Sequence, residues 1–473
     1  MSDDDKTKPT DNTGSATNID VAAAFGVESV YQDLLSRAPE NKMAPRLDAM
    51  ERAVEILGEP HRAAPVIHIT GTNGKTSTAR MIERLLMAHD VRTGRYTSPH
   101  LTSVTERISI DGEPVPDETF VRIWEEIQPF LKIVDQELTD RGEPRITYFE
   151  ALTILAFAIF ADEPVDVVVL EVGIGGVWDA TNVADGQVAV VTPIALDHTD
   201  ILGETLVEIA GEKQGIIKDG GFLVSAVQDP AVAQVLLESA QSHGAEFRFE
   251  GVEFSVVSRL PGVGGQMVSV KGLADTYEDL PLPLFGAHQA ENAAVAIAAV
   301  EAFLGGGEKP LNVELIRAAW EDLTSPGRLE IVRSAPTVLV DAAHNPAGIL
   351  AAAQAFKESF AVDKLNLVIG VLGEKDAVGI FEAIREEYLD STDFELNLYL
   401  CASNSPRAIP VEQLENMALD AGFDEDQVQT FEYMHDAVAA AITEAGTGEE
   451  FSSAVLITGS ITVIGEARIL MGL

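Results

Sequence analysis

The fold of this chain is decided by one stretch, Val66-Ile67-His68-Ile69-Thr70-Gly71-Thr72-Asn73-Gly74-Lys75-Thr76-Ser77. An apolar run breaks here into a glycine-rich turn and continues into a predicted helix that starts near Thr76. Backbone N–H groups of the turn and of the helix start form a concave anion site, which predicts a phosphate-binding loop. Lys75 would reach the outer phosphates and the Thr76 hydroxyl would bind Mg²⁺. The alternative interpretation is an ordinary strand-to-helix turn with a chance Gly-Lys-Thr sequence.

The spacing of this loop differs from the common pattern. The usual phosphate loop would have a glycine at position 69, where this chain has Ile69. The sequence therefore predicts a shorter variant of the loop. By itself, such a loop is compatible with kinases, GTPases, motor-type ATPases and ligases.

Length and charge limit the possible classes of protein. A chain of 473 residues is too long for one ordinary core, which predicts two domains and a tail. The formal net charge of −44 argues against non-specific binding to nucleic acid or to an anionic membrane. An anionic substrate then requires a site that is locally basic or assisted by a metal ion, which directs attention to Lys75, Arg328 and Mg²⁺.

Cysteine content and apolar stretches bear on the cellular location. Cys401 is the one cysteine, so neither an intrachain disulfide nor a cysteine-based metal site is expected. The longest apolar stretch, residues 151–161, ends at Asp162 and is too short to span a bilayer. Residues 1–6 lack the basic start and apolar stretch of a secretory signal. We therefore expect a cytoplasmic protein.

Apolar strands alternate with helical segments along most of the chain. This alternation predicts an α/β fold: a phosphate-loop domain with a doubly wound, mostly parallel sheet, followed by a smaller Rossmann-like α/β domain. The predicted parts are a disordered acidic tail at 1–20, a nucleotide-binding domain at 21–325 and a C-terminal domain at 326–473. Residues 105–110 are predicted to form an alternating strand, and residues 250–284 an antiparallel excursion.

Polar residues follow several predicted strands at the point where each strand ends. Glu171 and Asp197-His198 come after apolar runs, as the phosphate loop does, so all are expected at one edge of the sheet, where ligands bind. Glu171 and His198 are candidate Mg²⁺ ligands, although histidine is unusual because this ion prefers oxygen. Similar turns in the second domain suggest two carboxyl edges that face each other across a cleft.

Six segments, in order along the chain, resemble the Mur ligase superfamily. They are Ile69 to Ser77, Thr97-Ser98-Pro99-His100, Leu170 to Asn182, Leu196-Asp197-His198, His288-Gln289 with Asn292, and Asp341-Ala342-Ala343-His344-Asn345-Pro346. Within the superfamily they are similar to folylpolyglutamate synthases and to the bifunctional dihydrofolate synthase/folylpolyglutamate synthases of bacteria. The resemblance runs from about Pro39 to the C-terminus.

The resemblance implies an ATP-dependent amide ligase. In this family a carboxylate is activated by the γ-phosphoryl group of ATP, and the amino group of L-glutamate attacks the resulting acyl phosphate, releasing ADP and phosphate. The implied acceptors are dihydropteroate, reduced folates or both, and the residues do not separate these possibilities. A Mg²⁺ ion and a monomeric protein are also implied.

The resemblance also assigns site residues by position. It assigns ATP to Gly71, Thr72, Asn73, Gly74, Lys75, Thr76, Ser77, Asn292, Arg328 and Asp341. It assigns magnesium to Thr76, Ser98, Glu171 and His198, and it aligns Phe149, Glu150, Trp178, Asp179 and Ala180 with the pterin pocket. The implied catalytic residues are Lys75, Lys213 and His344. The family has a carbamylated lysine where this chain has Lys213, and His344 matches a residue near the incoming glutamate.

Two positions depart from the family pattern. Val177-Trp178 stands where many relatives have a basic residue and leucine, and Thr76 replaces a frequent glycine.

Two other functions compete with this interpretation. Another Mur ligase, acting on a nucleotide-linked cell-wall precursor, would need an additional N-terminal domain, for which the ~45 residues between the tail and the phosphate loop are too few. A nucleotide-dependent switch or scaffold that hydrolyses ATP slowly belongs to a different class. ADP release that depends on both a pterin acid and glutamate would exclude the switch.

Overall fold

The structure is a computed structural model and describes residues 16–39, 45–390, 394–447 and 452–473. The strands are β1 Val66–Thr70, β2 Thr93–Tyr96, β3 Ile108–Ile110, β4 Glu113–Pro114, β5 Val167–Glu171, β6 Gly186–Val191, β7 Phe222–Ser225, β8 Glu246–Phe249, β9 Ser255–Gly262, β10 Gly265–Lys271, β11 Thr276–Leu282, β12 Glu330–Ser334, β13 Thr337–Val340, β14 Lys364–Ile369, β15 Glu395–Cys401, β16 Val428–Phe431 and β17 Ser453–Thr458. The α-helices are α1 Ala16–Leu35, α2 Asp48–Ile56, α3 Lys75–Ala88, α4 Asp117–Asp140, α5 Tyr148–Asp162, α6 Thr199–Leu202, α7 Leu206–Lys213, α8 Pro230–Ser242, α9 Ala287–Gly305, α10 Val313–Glu321, α11 Pro346–Ser359, α12 Ala377–Ile384, α13 Val411–Asp420, α14 Met434–Ala445 and α15 Ile461–Leu470.

The first sheet has eight strands in the order β4-β3-β2-β5-β1-β6-β7-β8. Its strands from β2 to β8 in this order run parallel, and β3 and β4 add an antiparallel edge. All five residues of the central strand β1 are buried. Successive side chains alternate between faces, so Ile67 and Ile69 pack with α3 and α9, whereas Val66 packs with α5 on the other face. The phosphate loop therefore follows a fully buried central strand.

The second sheet has six strands in the order β12-β13-β17-β14-β15-β16. All of its pairs are parallel except β12 with β13. Helices cover both faces, and the sheet separates the core of this domain into two clusters. The change from the first set of strands to the second falls between α10 and β12. The predicted α/β architecture, with a larger doubly wound domain followed by a smaller Rossmann-like one, is confirmed.

The strands β9, β10 and β11 form a separate three-stranded antiparallel sheet. This confirms the antiparallel excursion predicted for residues 250–284. Buried side chains of β10 and β11 join the core that includes α9 and α10, so this small sheet extends the first domain.

Two local predictions need correction. The strand predicted over residues 105–110 is shorter, because Val104–Arg107 forms a 3₁₀ turn that Ser103 and Glu106 cap reciprocally, and β3 begins at Ile108. Helical structure begins at Ala16, so the tail predicted to run to residue 20 is too long at its C-terminal end. Residues 1–15 of that predicted tail lie outside the described residues.

Helix α5 contains the longest apolar stretch of the sequence. Most of its side chains are buried in the core of the first domain, which accounts for their apolar character. Throughout the described ranges, none of the helices has both the length and the apolar content that crossing a bilayer would require.

Candidate active site

The phosphate loop is built as its sequence predicts. It leaves β1 at Thr70 and enters α3 at Lys75, with positive φ angles of 145° at Gly71 and 90° at Gly74. A Cβ atom on Gly71 would lie 1.9 Å from the Thr192 hydroxyl, and one on Gly74 would lie 2.5 Å from Oδ1 of Asn292. Both positions therefore require glycine. Asn292, on α9, contacts the same loop.

Two lysine side chains converge on one carbonyl oxygen of this loop. Lys75 Nζ donates to the carbonyl oxygens of Gly71 and Thr72 at 3.1 Å each, and Lys213 Nζ donates to that of Gly71 at 2.8 Å. Burial lowers the pKa of Lys213 to about 7, and the Lys75 charge contributes to this shift. Burial also lowers the pKa of Lys75. The loop therefore concentrates positive charge, which an anionic ligand would offset.

Glu171 lies at the end of β5, beside the start of α3. The Thr76 hydroxyl lies 3.0 Å from each of its carboxylate oxygens, and the Ser98 N–H also donates to the carboxylate. Burial raises the pKa of Glu171. A buried carboxylate with a hydroxyl group beside it fits Mg²⁺, which takes oxygen ligands and completes its coordination with water and phosphate oxygens.

His198 has different neighbours from Glu171. Its Nε2 atom lies 3.2 Å from Nζ of Lys375, and burial with the Lys375 charge lowers its pKa to about 3. Among the described residues, no three His, Cys, Asp or Glu side chains converge in a way that could hold a metal ion. Of the predicted set, Thr76 and Ser98 therefore contact Glu171, whereas His198 contacts Lys375.

Asp197 joins the two domains at their carboxyl edges. Its carboxylate accepts from Lys375 Nζ at 2.8 and 3.1 Å and from Asn345 Nδ2 at 3.1 Å, and His344 Nε2 lies 3.6 Å away. Burial alone would raise the pKa of Asp197, but the nearby His344 ring and the Lys375 charge hold it well below its usual range. The side chains of Asn73 and Asn345 also exchange two hydrogen bonds of 3.2 Å. The two carboxyl edges that were predicted to face each other therefore do so, and direct contacts join them.

The linker between the domains is fixed to the phosphate-loop helix. The hydroxyl groups of Ser77 and Ser325 lie 2.9 Å apart. Farther along, Asp341 accepts from the backbone N–H groups of Leu329 and Ala343 at 2.8 and 2.9 Å, which orders the chain around Arg328. The Arg328 charge counters the burial that raises the pKa values of Glu171 and Asp341, so Arg328 lies near both carboxylates.

The residues aligned with the pterin pocket lie around the loop that follows β5. Asp179 accepts from the N–H groups of Ile174 and Thr181 and is buried. A Cβ atom on Gly173 would lie 2.5 Å from the Phe149 ring, and one on Gly175 would lie 3.5 Å from the Trp178 ring, so both rings pack on this loop. Ala180 begins the short 3₁₀ turn that ends it.

Glu150 has a clear structural role. Its carboxylate accepts from the Thr147 N–H at 2.7 Å as part of a capping box at the start of α5, and it pairs with Arg46 at 3.2 Å. These contacts account for its burial without a ligand, so its assignment to the pterin pocket stays a prediction.

Sequence reasoning assigned no role to three residues that contribute to this site. Lys375 and Asn345 reach Asp197 from the second domain, and both follow strand ends, so the logic applied to Glu171 would have found them. Arg80 lies one turn after Thr76 on α3, and burial and the Arg95 charge lower its pKa to about 10. Its position in an otherwise ordinary helix gives no sequence signal.

Comparison with known proteins now identifies the family. A family model described as the Mur ligase middle domain matches residues 69–300, and one described as the Mur ligase glutamate ligase domain matches residues 327–461. A Mycobacterium tuberculosis protein named dihydrofolate synthase/folylpolyglutamate synthase is 45% identical over 487 residues, covering 98% of this chain and 97% of the relative. The chain belongs to the Mur ligase family. As such it is an ATP-dependent ligase.

Solved structures agree with this assignment. This Mur ligase superposes on Mycobacterium tuberculosis folylpolyglutamate synthase complexed with ADP and AMPPCP, with a TM-score of 0.88, 43% identity and coverage of 95% of this chain and 99% of that one. Folylpolyglutamate synthase from Thermotoga maritima gives a TM-score of 0.78 at 30% identity, with coverage of 95% and 97%. The predicted family is confirmed, and the Mur ligase fold extends over both domains.

Proposed function

We propose that the protein adds L-glutamate to dihydropteroate, to reduced folates, or to both, by way of an acyl phosphate made with ATP. The observation that carries this proposal is the meeting of the two domains at Asp197. There the phosphate-loop domain contacts Lys375 and His344, which belong to the domain that matches the glutamate ligase model. A site divided in this way suits a reaction that joins an activated acid to an amino acid. The proposed substrates are inferred from the names of the relatives.

The phosphate loop and its lysines would hold ATP. Backbone N–H groups at the start of α3 and the Lys75 ammonium would contact the phosphates. Asn292 packs against Gly74, and Arg328 lies near Glu171, so both are within the reach of a nucleotide held by this loop. Glu171 and Thr76, with Ser98 beside them, would hold Mg²⁺, and His198 is the fourth predicted ligand. When bound, the ion neutralises charge on the phosphoryl group being transferred.

His344 and Lys375 are suited to the incoming glutamate. Nδ1 of His344 lies 2.8 Å from the Ala342 carbonyl oxygen, which fixes the ring, and burial lowers the pKa of this histidine. The Lys375 ammonium adds positive charge beside it, where a glutamate carboxylate would be attracted. Because both residues reach the first domain, closure would bring the amine to the acyl phosphate while excluding water from it.

Lys213 is proposed to carry a carbamate. Carbamylation needs the neutral amine, and a buried lysine with a pKa of about 7 is largely neutral at slightly alkaline pH. The added carboxylate would lie beside the phosphate loop, because Lys213 Nζ is 2.8 Å from the Gly71 carbonyl oxygen. It would help to position Mg²⁺ and the γ-phosphate.

We also propose that the protein acts as a monomer in the cytoplasm. One chain supplies both sides of the interdomain contact at Asp197, so a second copy is not needed to complete it. The net charge of −44 argues against binding to nucleic acid or to an anionic membrane, and small anionic substrates would be held by the cations beside the phosphate loop.

Mass analysis of the products tests the proposal. The protein is incubated with ATP, Mg²⁺ and L-glutamate, and with dihydropteroate or a reduced folate as acceptor. We expect one added glutamate on dihydropteroate, one or more on the folate, or both, with one ADP released per amide bond. A product from dihydropteroate but none from folate would restrict the function to the synthase. ADP release that does not depend on acceptor and glutamate would instead indicate a nucleotide-dependent switch.

A further inference from the structure

The loop of residues 173–183, here called the acceptor loop, is tied to strand β1 at two points. The Thr70 hydroxyl donates to the Gly175 carbonyl oxygen at 2.8 Å. Nearer the middle of the strand, Nε2 of His68 lies 2.8 Å from the Thr181 hydroxyl. The strand that leads into the phosphate loop therefore also holds the loop that carries Trp178 and Asp179.

The second tie continues as a buried chain of hydrogen bonds. The Thr181 hydroxyl donates to Oδ1 of Asp179 at 2.5 Å, and the Thr181 N–H donates to the same oxygen at 2.9 Å. His68, Thr181 and Asp179 are respectively 0%, 0% and 3% exposed. A hydroxyl has one proton to give, and a carboxylate accepts only, so this proton points to Asp179. His68 must then donate from Nε2, which fixes its tautomer.

This arrangement makes the other ring nitrogen of His68, Nδ1, a hydrogen-bond acceptor. Among the described residues, the buried Nδ1 atom of His68 has no hydrogen-bond partner. Burial and the Lys218 charge lower the pKa of His68 to about 3, so the ring is neutral. A buried hydrogen-bond acceptor without a partner destabilises the folded state, and an aliphatic side chain, as at Ile67 and Ile69, would avoid this cost. The presence of a histidine at position 68 is therefore explained by the hydrogen bond that its ring makes to Thr181.

We propose that His68 and Thr181 are positioning residues that fix the acceptor loop relative to the phosphate loop. The inference rests on the proposed function, because it takes Asp179 and its neighbours to contact the acceptor acid. Both loops depend on one rigid central strand: the phosphate loop continues from it, and the acceptor loop is bound to its side chains. The distance between the acceptor carboxylate and the γ-phosphate is thereby set within one element. A displacement of about 1 Å between reacting groups can reduce a rate by about 10²-fold.

Three substitutions test this role. Thr181→Val removes the hydroxyl at nearly constant volume, and His68→Leu removes the donor. His68→Gln keeps an N–H close to the place of Nε2. The matched control is Thr93→Val in strand β2, because the Thr93 hydroxyl is buried with no hydrogen-bond partner in the described part of the chain.

The expected result separates positioning from general damage. Thr181→Val and His68→Leu should lower kcat/KM for the acceptor about tenfold, with unchanged ADP affinity, whereas His68→Gln should recover most of the loss and Thr93→Val should equal the parent. Hydrogen–deuterium exchange should become faster in residues 173–183 and stay unchanged in residues 71–76. This second readout needs no acceptor, so it tests the tie even if the parent fails to ligate glutamate, which would refute the proposed function alone.

Two outcomes would overturn the inference. One is a folded Thr181→Val variant whose acceptor kcat/KM and loop exchange both equal those of the parent. The other is a parallel loss of ADP affinity and acceptor turnover in Thr181→Val and His68→Leu, without recovery in His68→Gln, since that pattern means that the residues only support the fold.

Discussion

At the scale of single residues, the site brings cations together and uses burial to change their acidity. Lys75 and Lys213 share the Gly71 carbonyl oxygen as a hydrogen-bond acceptor, and burial together with the Lys75 charge lowers the pKa of Lys213. Lys375 forms an ion pair with Asp197 at 2.8 Å and lies 3.2 Å from Nε2 of His198. These contacts place each lysine in a different electrostatic environment, and such perturbed environments are typical of functional sites.

Lys75 provides the most direct test of the phosphate loop. Replacing it with alanine removes the ammonium that would stabilise charge on the transferring phosphoryl group, so we expect ligation to fall by about 10²-fold or more. The fold should remain, because both hydrogen bonds of Lys75 Nζ go to its own loop. Steady-state kinetics and thermal unfolding measure the two effects, with Lys271→Ala on an exposed strand position as the control. A folded Lys75→Ala variant with near-normal turnover would refute the assignment.

Lys213 predicts a dependence on carbon dioxide with a defined direction in pH. Its pKa is lowered from 10.5 to about 7, so the reactive neutral amine becomes abundant as pH rises through about 7. We expect a carbamate resonance in ¹³C NMR spectra recorded with ¹³C-labelled bicarbonate, increasing over this range and absent from Lys213→Arg. Activity should fall on removal of carbon dioxide and return on its addition. A parent spectrum without this resonance at pH 8 would contradict the carbamate.

At the scale of elements, the second domain approaches the first through a glycine in helix α15. A Cβ atom on Gly465 would lie 2.2 Å from the Leu101 carbonyl oxygen. The Leu101 side chain itself packs against a core cluster of the second domain. The turn of residues 97–101 is thus held between the domains, and it carries Ser98, whose N–H donates to Glu171.

Gly465→Ala tests this contact. The new methyl group must displace the backbone of the turn, so we expect kcat/KM for ligation to fall about tenfold and the free energy of unfolding to fall by about 1–3 kcal/mol. Gly211→Ala in helix α7 is the matched control, because its Cβ would meet no heavy atom within 4 Å. Kinetics and denaturant unfolding compare the two variants. Equal activity in the two variants would show that ligation does not depend on the close contact between Gly465 and Leu101.

At the scale of the whole molecule, charge is distributed unevenly. The chain has 76 acidic and 32 basic residues, yet several of its cations lie in or beside the phosphate loop. An acidic surface around a cationic cleft repels itself and attracts anions only at the cleft. The folded state therefore carries a repulsion that salt can screen.

Salt should affect stability and substrate use in opposite directions. Raising NaCl from about 0.01 M to about 1 M shortens the Debye length from about 30 Å to about 3 Å, which removes most surface repulsion. We expect the unfolding temperature to rise by about 5 °C or more. Over the same range, kcat/KM for ATP should fall, because attraction to the cleft is screened too. An unfolding temperature that is flat or decreases with salt would contradict this account.

Local signals were sufficient for much of the fold. The phosphate loop could be predicted because strand, glycines, lysine and helix start are contiguous, and buried parallel strands such as β5 and β6 appear as apolar runs. Strand β2, Thr93–Tyr96, gave no such signal, because its buried Arg95 is polar and is satisfied by Glu83. Edge strands such as β16 were not predicted either, because they are half exposed and mixed in composition.

The sequence by itself determined the phosphate loop, the α/β alternation and, through its ordered motifs, the family. Only the tertiary structure decided which side chains meet. Lys375 and Asp197 are 178 residues apart, and His68 and Thr181 are 113 residues apart. Neither pair has a local pattern, because each contact depends on which strands are neighbours and on how the two domains close. Backbone conformation follows from neighbouring residues, whereas the site follows from packing over long separations.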